Sequence, residues 1–100
     1  MAVYALAQLT MKNRAAYDRY QARFMEVFRH YRGQLLAADE APTVLEGKWP
    51  MDKLVLISFP DEQAFREWHE SPAYQDAAAF RRAGGGVVEN AIVDGGDATT

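Results

Sequence analysis

Lys53-Leu54-Val55-Leu56-Ile57-Ser58-Phe59-Pro60-Asp61 decides the fold. The run from Lys53 to Phe59 is the strongest strand signal in the chain, and Pro60 closes it. Asp61 then offers an N-cap to a helix carrying Ala64, Phe65 and Trp68. Ser71-Pro72 restarts that helix, with serine as cap and proline at the first helical position, where its missing N–H costs nothing. The second segment runs through Tyr74, Ala77 and Phe80 to Arg82, Gly84-Gly85-Gly86 ends it, and Val87 to Val93 reads as a last strand. This half of the chain is therefore β-α-β.

The other half mirrors it. Val3 to Leu9 is apolar on both faces, as in a central strand covered on two sides. Asn13 is a cap, and Tyr17, Tyr20, Phe24, Val27, Phe28 and Tyr31 recur at helical spacing, predicting an amphipathic helix of about five turns closed by Gly33. Gln34 to Asp39 and Thr43 to Glu46 read as one strand interrupted at Glu40-Ala41-Pro42, which marks a bulge or an edge. Gly47 to Asp52 is a turn. The order β-α-β-β-α-β predicts a ferredoxin-like α+β fold: a four-stranded antiparallel sheet with both helices on one face. The bare apolar face then calls for a second copy, making a homodimer.

Composition narrows the function. One hundred residues make one domain, expected over residues 1–94, with residues 95–100 as a disordered polar tail. Apolar residues are 49% and charged residues 25%, a globular and not a disordered balance. With no cysteine, a disulfide scaffold, a thiolate metal site and a cysteine nucleophile are excluded, and two histidines without ligand spacing predict no metal site; no cofactor is expected. Met1 to Thr10 has neither a basic leader region nor a membrane-length apolar run, so the expected location is cytoplasmic. Net charge is −3 overall, but residues 1–33 carry six basic and two acidic residues while residues 34–100 carry five and twelve. The basic stripe Arg14, Arg19, Arg23 and Arg29 is interleaved with Asp18 and Glu26, which favours a solvated helix face over nucleic-acid binding.

Several stretches carry a family resemblance: Leu45-Glu46-Gly47-Lys48-Trp49-Pro50, Phe59-Pro60, Trp68-His69-Glu70-Ser71-Pro72-Ala73-Tyr74, and the paired Tyr17 and Tyr20 before them. In this order and spacing they resemble the DUF1330 family over about Val3 to Val93. The resemblance implies a dimeric α+β barrel in which two ferredoxin-like protomers pack sheet against sheet. Its wider superfamily includes small monooxygenases, muconolactone-isomerase-like and EthD-like proteins. Two positions depart from the family pattern. Tyr31-Arg32-Gly33 stands where similar proteins often have His-Gly-Gly, and Lys53 stands where arginine is common, keeping charge but losing the bidentate fork.

Candidate site residues each have two readings. Glu46, just before Gly47 and Trp49, is placed where a partly desolvated carboxylate could act as general acid or base; otherwise it pairs with Arg81 or Lys53. Tyr17, Tyr20, Trp49, Trp68 and Tyr74 could wall a pocket for a flat apolar ligand, with Tyr20 and Trp68 better explained as core. Arg81 either answers the helix dipole or binds a substrate carboxylate or phosphate. Ser71 is explained as a cap, and no nucleophile-elbow motif surrounds it. His30 and His69 read as solvent-facing, although either imidazole could carry a proton. Gly84-Gly85-Gly86 follows a helix instead of opening one and lacks phosphate-cradling geometry.

The leading expectation is a homodimeric protein binding a small apolar or aromatic molecule between sheet and helices, near Tyr17, Glu46, Trp49, Trp68, Tyr74 and Arg81. Its rivals are a cofactor-free oxygenase-like or isomerase-like enzyme on an aromatic or lactone-like substrate, with Glu46 or a histidine moving the proton, and a structural or interaction domain.

Overall fold

The computed structural model describes residues 2–84, 86 and 88–94. Its elements are β1 (Val3–Leu9), α1 (Arg14–Phe28), β2 (Gln34–Asp39), β3 (Lys53–Phe59), α2 (Glu62–His69), α3 (Pro72–Ala83) and β4 (Val88–Asp94). The strands form one antiparallel sheet in the order β2-β3-β1-β4. This is the ferredoxin-like α+β arrangement, with the second helix divided in two. The expected tail at 95–100 lies outside the described residues, as does Val87 at the start of the last strand.

Local chemistry sets the helix boundaries. The side chains of Asn13, Asp61 and Ser71 accept hydrogen bonds from the backbone N–H groups of Ala16 (3.1 Å), Ala64 (2.8 Å) and Tyr74 (3.1 Å). Each satisfies one of the orphan donors of a first turn. The Ser71 hydroxyl also donates to the Trp68 carbonyl at 2.7 Å, so this one side chain ends α2 and begins α3. Its hydroxyl is fully engaged, in keeping with a capping role.

Three boundaries differ from the sequence expectation. Helix α1 stops at Phe28, about one turn early, because His30 and Tyr31 donate to the carbonyls of Val27 and Phe28 in a tightening turn. Gly33 is not the helix cap. It lets the chain cross the core, since a Cβ there would lie 2.5 Å from the Phe28 ring and 2.7 Å from the Phe59 ring. Residues 43–46 are not strand, and the bulge falls between Leu35 and Ala37, not at Pro42. Loop 40–52 instead stands in solvent, with Leu45 91% exposed, and turns at Gly47, whose φ of +79° suits glycine.

Pleat alternation gives the sheet two faces. Val3, Ala5, Leu9, Ile57 and Phe59 are buried under the helices. They join an aromatic core in which Trp68 stacks on Phe59 at 5.6 Å and meets Phe28 and Phe24 edge-on. The opposite face carries Tyr4, Leu6, Leu54 and Leu56 beside Ala91 and Val93, the last 51% exposed. No helix covers those residues.

Candidate functional site

Between the sheet and the helices lies a cavity of about 70 Å³, roughly the liquid volume of two water molecules. Its origin is visible in the strand register. Ala5 pairs with Ile57 and Ala7 with Val55, while the bulge in β2 brings Ala38 opposite Val55. Three alanines thus stand on the helix-facing side, where larger side chains would close the gap. Tyr17, Tyr20 and Phe24 of α1, Trp68 of α2 and Tyr74 of α3 form the aromatic roof. Met25 and Leu35, 46% and 40% exposed, put one end of the cavity at the solvent beside the edge strand β2.

Four of the six site residues expected from the sequence meet here: Tyr17, Trp68, Tyr74 and Arg81. All four are buried. Trp49 and Glu46 sit on the 40–52 loop and do not line the cavity within the protomer; both are exposed. Glu46 pairs with neither of its expected partners among the described residues. The Lys53 ammonium instead donates to Gln21 Oε1 at 3.3 Å and lies 4.9 Å from the centre of the Tyr17 ring. The Arg81 guanidinium lies 5.0 Å over the Tyr20 ring. Both arrangements are cation–π contacts in a desolvated setting.

The roof is hydrogen-bonded internally. Tyr20 and Tyr74 share a hydroxyl–hydroxyl hydrogen bond of 3.0 Å. Burial, reinforced by the neighbouring Tyr74, pushes the Tyr20 phenol far above its ordinary range, so it remains neutral. Sequence reading did not single out two polar lining residues, Gln21 and Asn90, and His69, expected to face solvent, lines the cavity as well. His69 is half-buried, stacked on Phe65 at 5.2 Å and tilted against Tyr74 at 5.4 Å. Burial is the main cause that lowers its pKa, and Arg81 and Arg82 add to the effect against the opposing Glu70. The signal for it was local: His69 lies four residues after Phe65, on the same helix face. Lys53 was also legible as inward-facing, because alternation groups it with Val55, Ile57 and Phe59.

The outer face of α1 is solvated, with Arg14 held by both Asp18 and Glu40 and Arg23 near Glu26. Among the described residues, no three His, Cys, Asp or Glu side chains converge as a metal-binding group. Among them, too, no helix is long and apolar enough to cross a membrane.

Comparison with solved structures gives the same fold in proteins of low identity. RPA0582 of Rhodopseudomonas palustris, a protein of unknown function, is 18% identical with a TM-score of 0.72, over 90% of this chain and 80% of that one. SnoaB of Streptomyces nogalater, a cofactor-independent oxygenase, is 20% identical with a TM-score of 0.66, over 96% and 94%. A dimeric ferredoxin-like protein of unknown function from Jannaschia sp. CCS1 is 21% identical with a TM-score of 0.63, over 91% and 98%. No curated protein matches the chain. The family model described as "Domain of unknown function (DUF1330)" matches residues 2–95, nearly the whole chain. The β-α-β-β-α-β chain with its Trp-Pro loop and Ser-Pro helix junction thus belongs to the DUF1330 family.

Proposed function

We propose that this protein is a homodimer that binds a small apolar or aromatic molecule in the cavity between sheet and helices. The observation that carries the reading is the cavity itself, floored by alanines and roofed by Tyr17, Tyr20, Trp68 and Tyr74. Pockets of this kind, apolar with a few convergent polar groups, are the usual form of a small-molecule site. Dimerisation is supported by the uncovered apolar sheet face and by the dimeric ferredoxin-like neighbours. Trp49, on the exposed loop, is assigned to the ligand only through movement of that loop or through the assembled dimer. A cytoplasmic location belongs to the same reading and is checked by cell fractionation.

A thermal-shift screen against lactones, quinones, aromatic acids and fatty acids tests it. A ligand at one hundred times its Kd adds about 2.7 kcal/mol, which raises the Tm of so small a domain by roughly ten degrees or more. A blank across the panel would favour an interaction domain whose dimer face is its function.

A second reading, a cofactor-free enzyme, is favoured by the likeness to SnoaB and by His69 at the cavity. In it the proton passes through His69, whose lowered pKa keeps it a neutral base at pH 7. Glu46 is the alternative carrier. Turnover lost in His69→Gln and kept in Glu46→Gln assigns His69; the reverse result assigns Glu46. Ligand affinity unchanged in both variants would separate chemistry from binding.

A further inference from the structure

The charged groups of the cavity are unbalanced: among the described residues it is lined by two cations and by no anion. Lys53 and Arg81 are 4% and 8% exposed, and no Asp or Glu is among the described residues that line the cavity with them. Among the described residues, Arg81 Nε and the Trp68 indole Nε1 are buried with no hydrogen-bond acceptor. Lys53 spends one of its three protons on the neutral amide of Gln21. Glu40, whose carboxylate feels the Lys53 charge, is exposed and bound by Arg14. Buried cations and donors left without acceptors are destabilising, and an anion is the complement that relieves them. The two cations stand over Tyr17 and Tyr20, whose ring centres are only 5.7 Å apart. Both cations thus line the same cavity, each against one of two neighbouring aromatic rings.

Resting on the proposed ligand-binding role, we infer that the ligand is a small organic acid, its carboxylate held by Arg81 and Lys53 and its apolar body against the aromatic roof. The volume encloses only a small part of that body, and the rest extends through the end that opens beside Met25 and Leu35. Charge-assisted hydrogen bonds would then supply the specificity that an apolar cavity lacks.

The test compares acids with their neutral amides by calorimetry at fixed low salt: benzoate against benzamide, cinnamate against cinnamamide, hexanoate against hexanamide. At least one acid should bind the wild type ten times more tightly than its amide, or more. In Arg81→Gln that preference should fall toward one while amide binding persists. Where Arg81→Gln fails to fold, Lys53→Gln gives the same readout. Equal binding of acid and amide would overturn the acid assignment and leave the apolar pocket standing. Failure of all six compounds to bind would overturn both.

Discussion

The hydroxyl of Tyr20 meets the hydroxyl of Tyr74 at 3.0 Å, joining α1 to α3 across 54 positions of sequence. Both side chains are buried, and their rings meet edge-on at 6.3 Å. The pair fixes how the two long helices sit above the cavity, so roof and stability share one contact.

Removing both halves of this pair should cost less than the two separate removals added together. Tyr20→Phe or Tyr74→Phe leaves one buried hydroxyl without its partner, a loss of about 1–3 kcal/mol. The double substitution should cost less than the two single losses combined, and urea denaturation of the four proteins reads the coupling. Strict additivity would remove the hydrogen bond from the account.

Gly33→Ala should destabilise the protein by about 1–3 kcal/mol. The added Cβ meets the Phe28 and Phe59 rings well inside contact distance, and both rings are packed against Trp68. A reduced Tm with an unchanged denaturant m-value is the expected result. An unchanged Tm would show that the rings can shift at no cost.

Acid should weaken the fold in part through His69. Its pKa is lowered in the folded state, chiefly by burial, so the unfolded chain binds the proton more readily. Stability from this group is complete above the unfolded value of about 6.5 and is lost as pH falls through and below it, toward the lower folded value. The measurement is the change in Tm between pH 7.5 and pH 5 in wild type and in His69→Gln. The variant should lose less; equal losses would remove His69 from the acid response.

The uncovered sheet face should govern assembly. Wild-type protein in light scattering should give about twice the chain mass of 11.2 kDa. Leu56 faces away from the helices, between Leu6 and Ala37 in the register. Leu56→Glu should therefore give a monomer with its far-ultraviolet circular dichroism intact. A wild-type monomer, or a variant that remains dimeric, would place the contact elsewhere.

The secondary structure was legible because its causes are local. Asn13, Asp61 and Ser71 each cap through a hydrogen bond to a residue three positions on, and strand alternation shows which face Val55, Ile57 and Phe59 share. Tyr17, Trp68, Tyr74 and Arg81 were readable as inward-facing from helical spacing alone. The role of Gly33 was not, because it is set by close approach to the Phe28 and Phe59 rings, the latter 26 positions away, and not by capping α1. Nor was the place of Glu46 and Trp49. Their short-range pattern suits a strand, but pairing with β3 ends at Asp39, and the loop beyond it has no neighbour to hold it in the sheet.

By itself, the sequence determined the elements, their order and the family, since caps, turns and periodicity act over a few residues. Only the tertiary structure decided the cavity and its charge. Both depend on which alanines the strand register sets beneath which aromatic rings, and on two cations from β3 and α3 that line one cavity with no Asp or Glu among the described residues beside them.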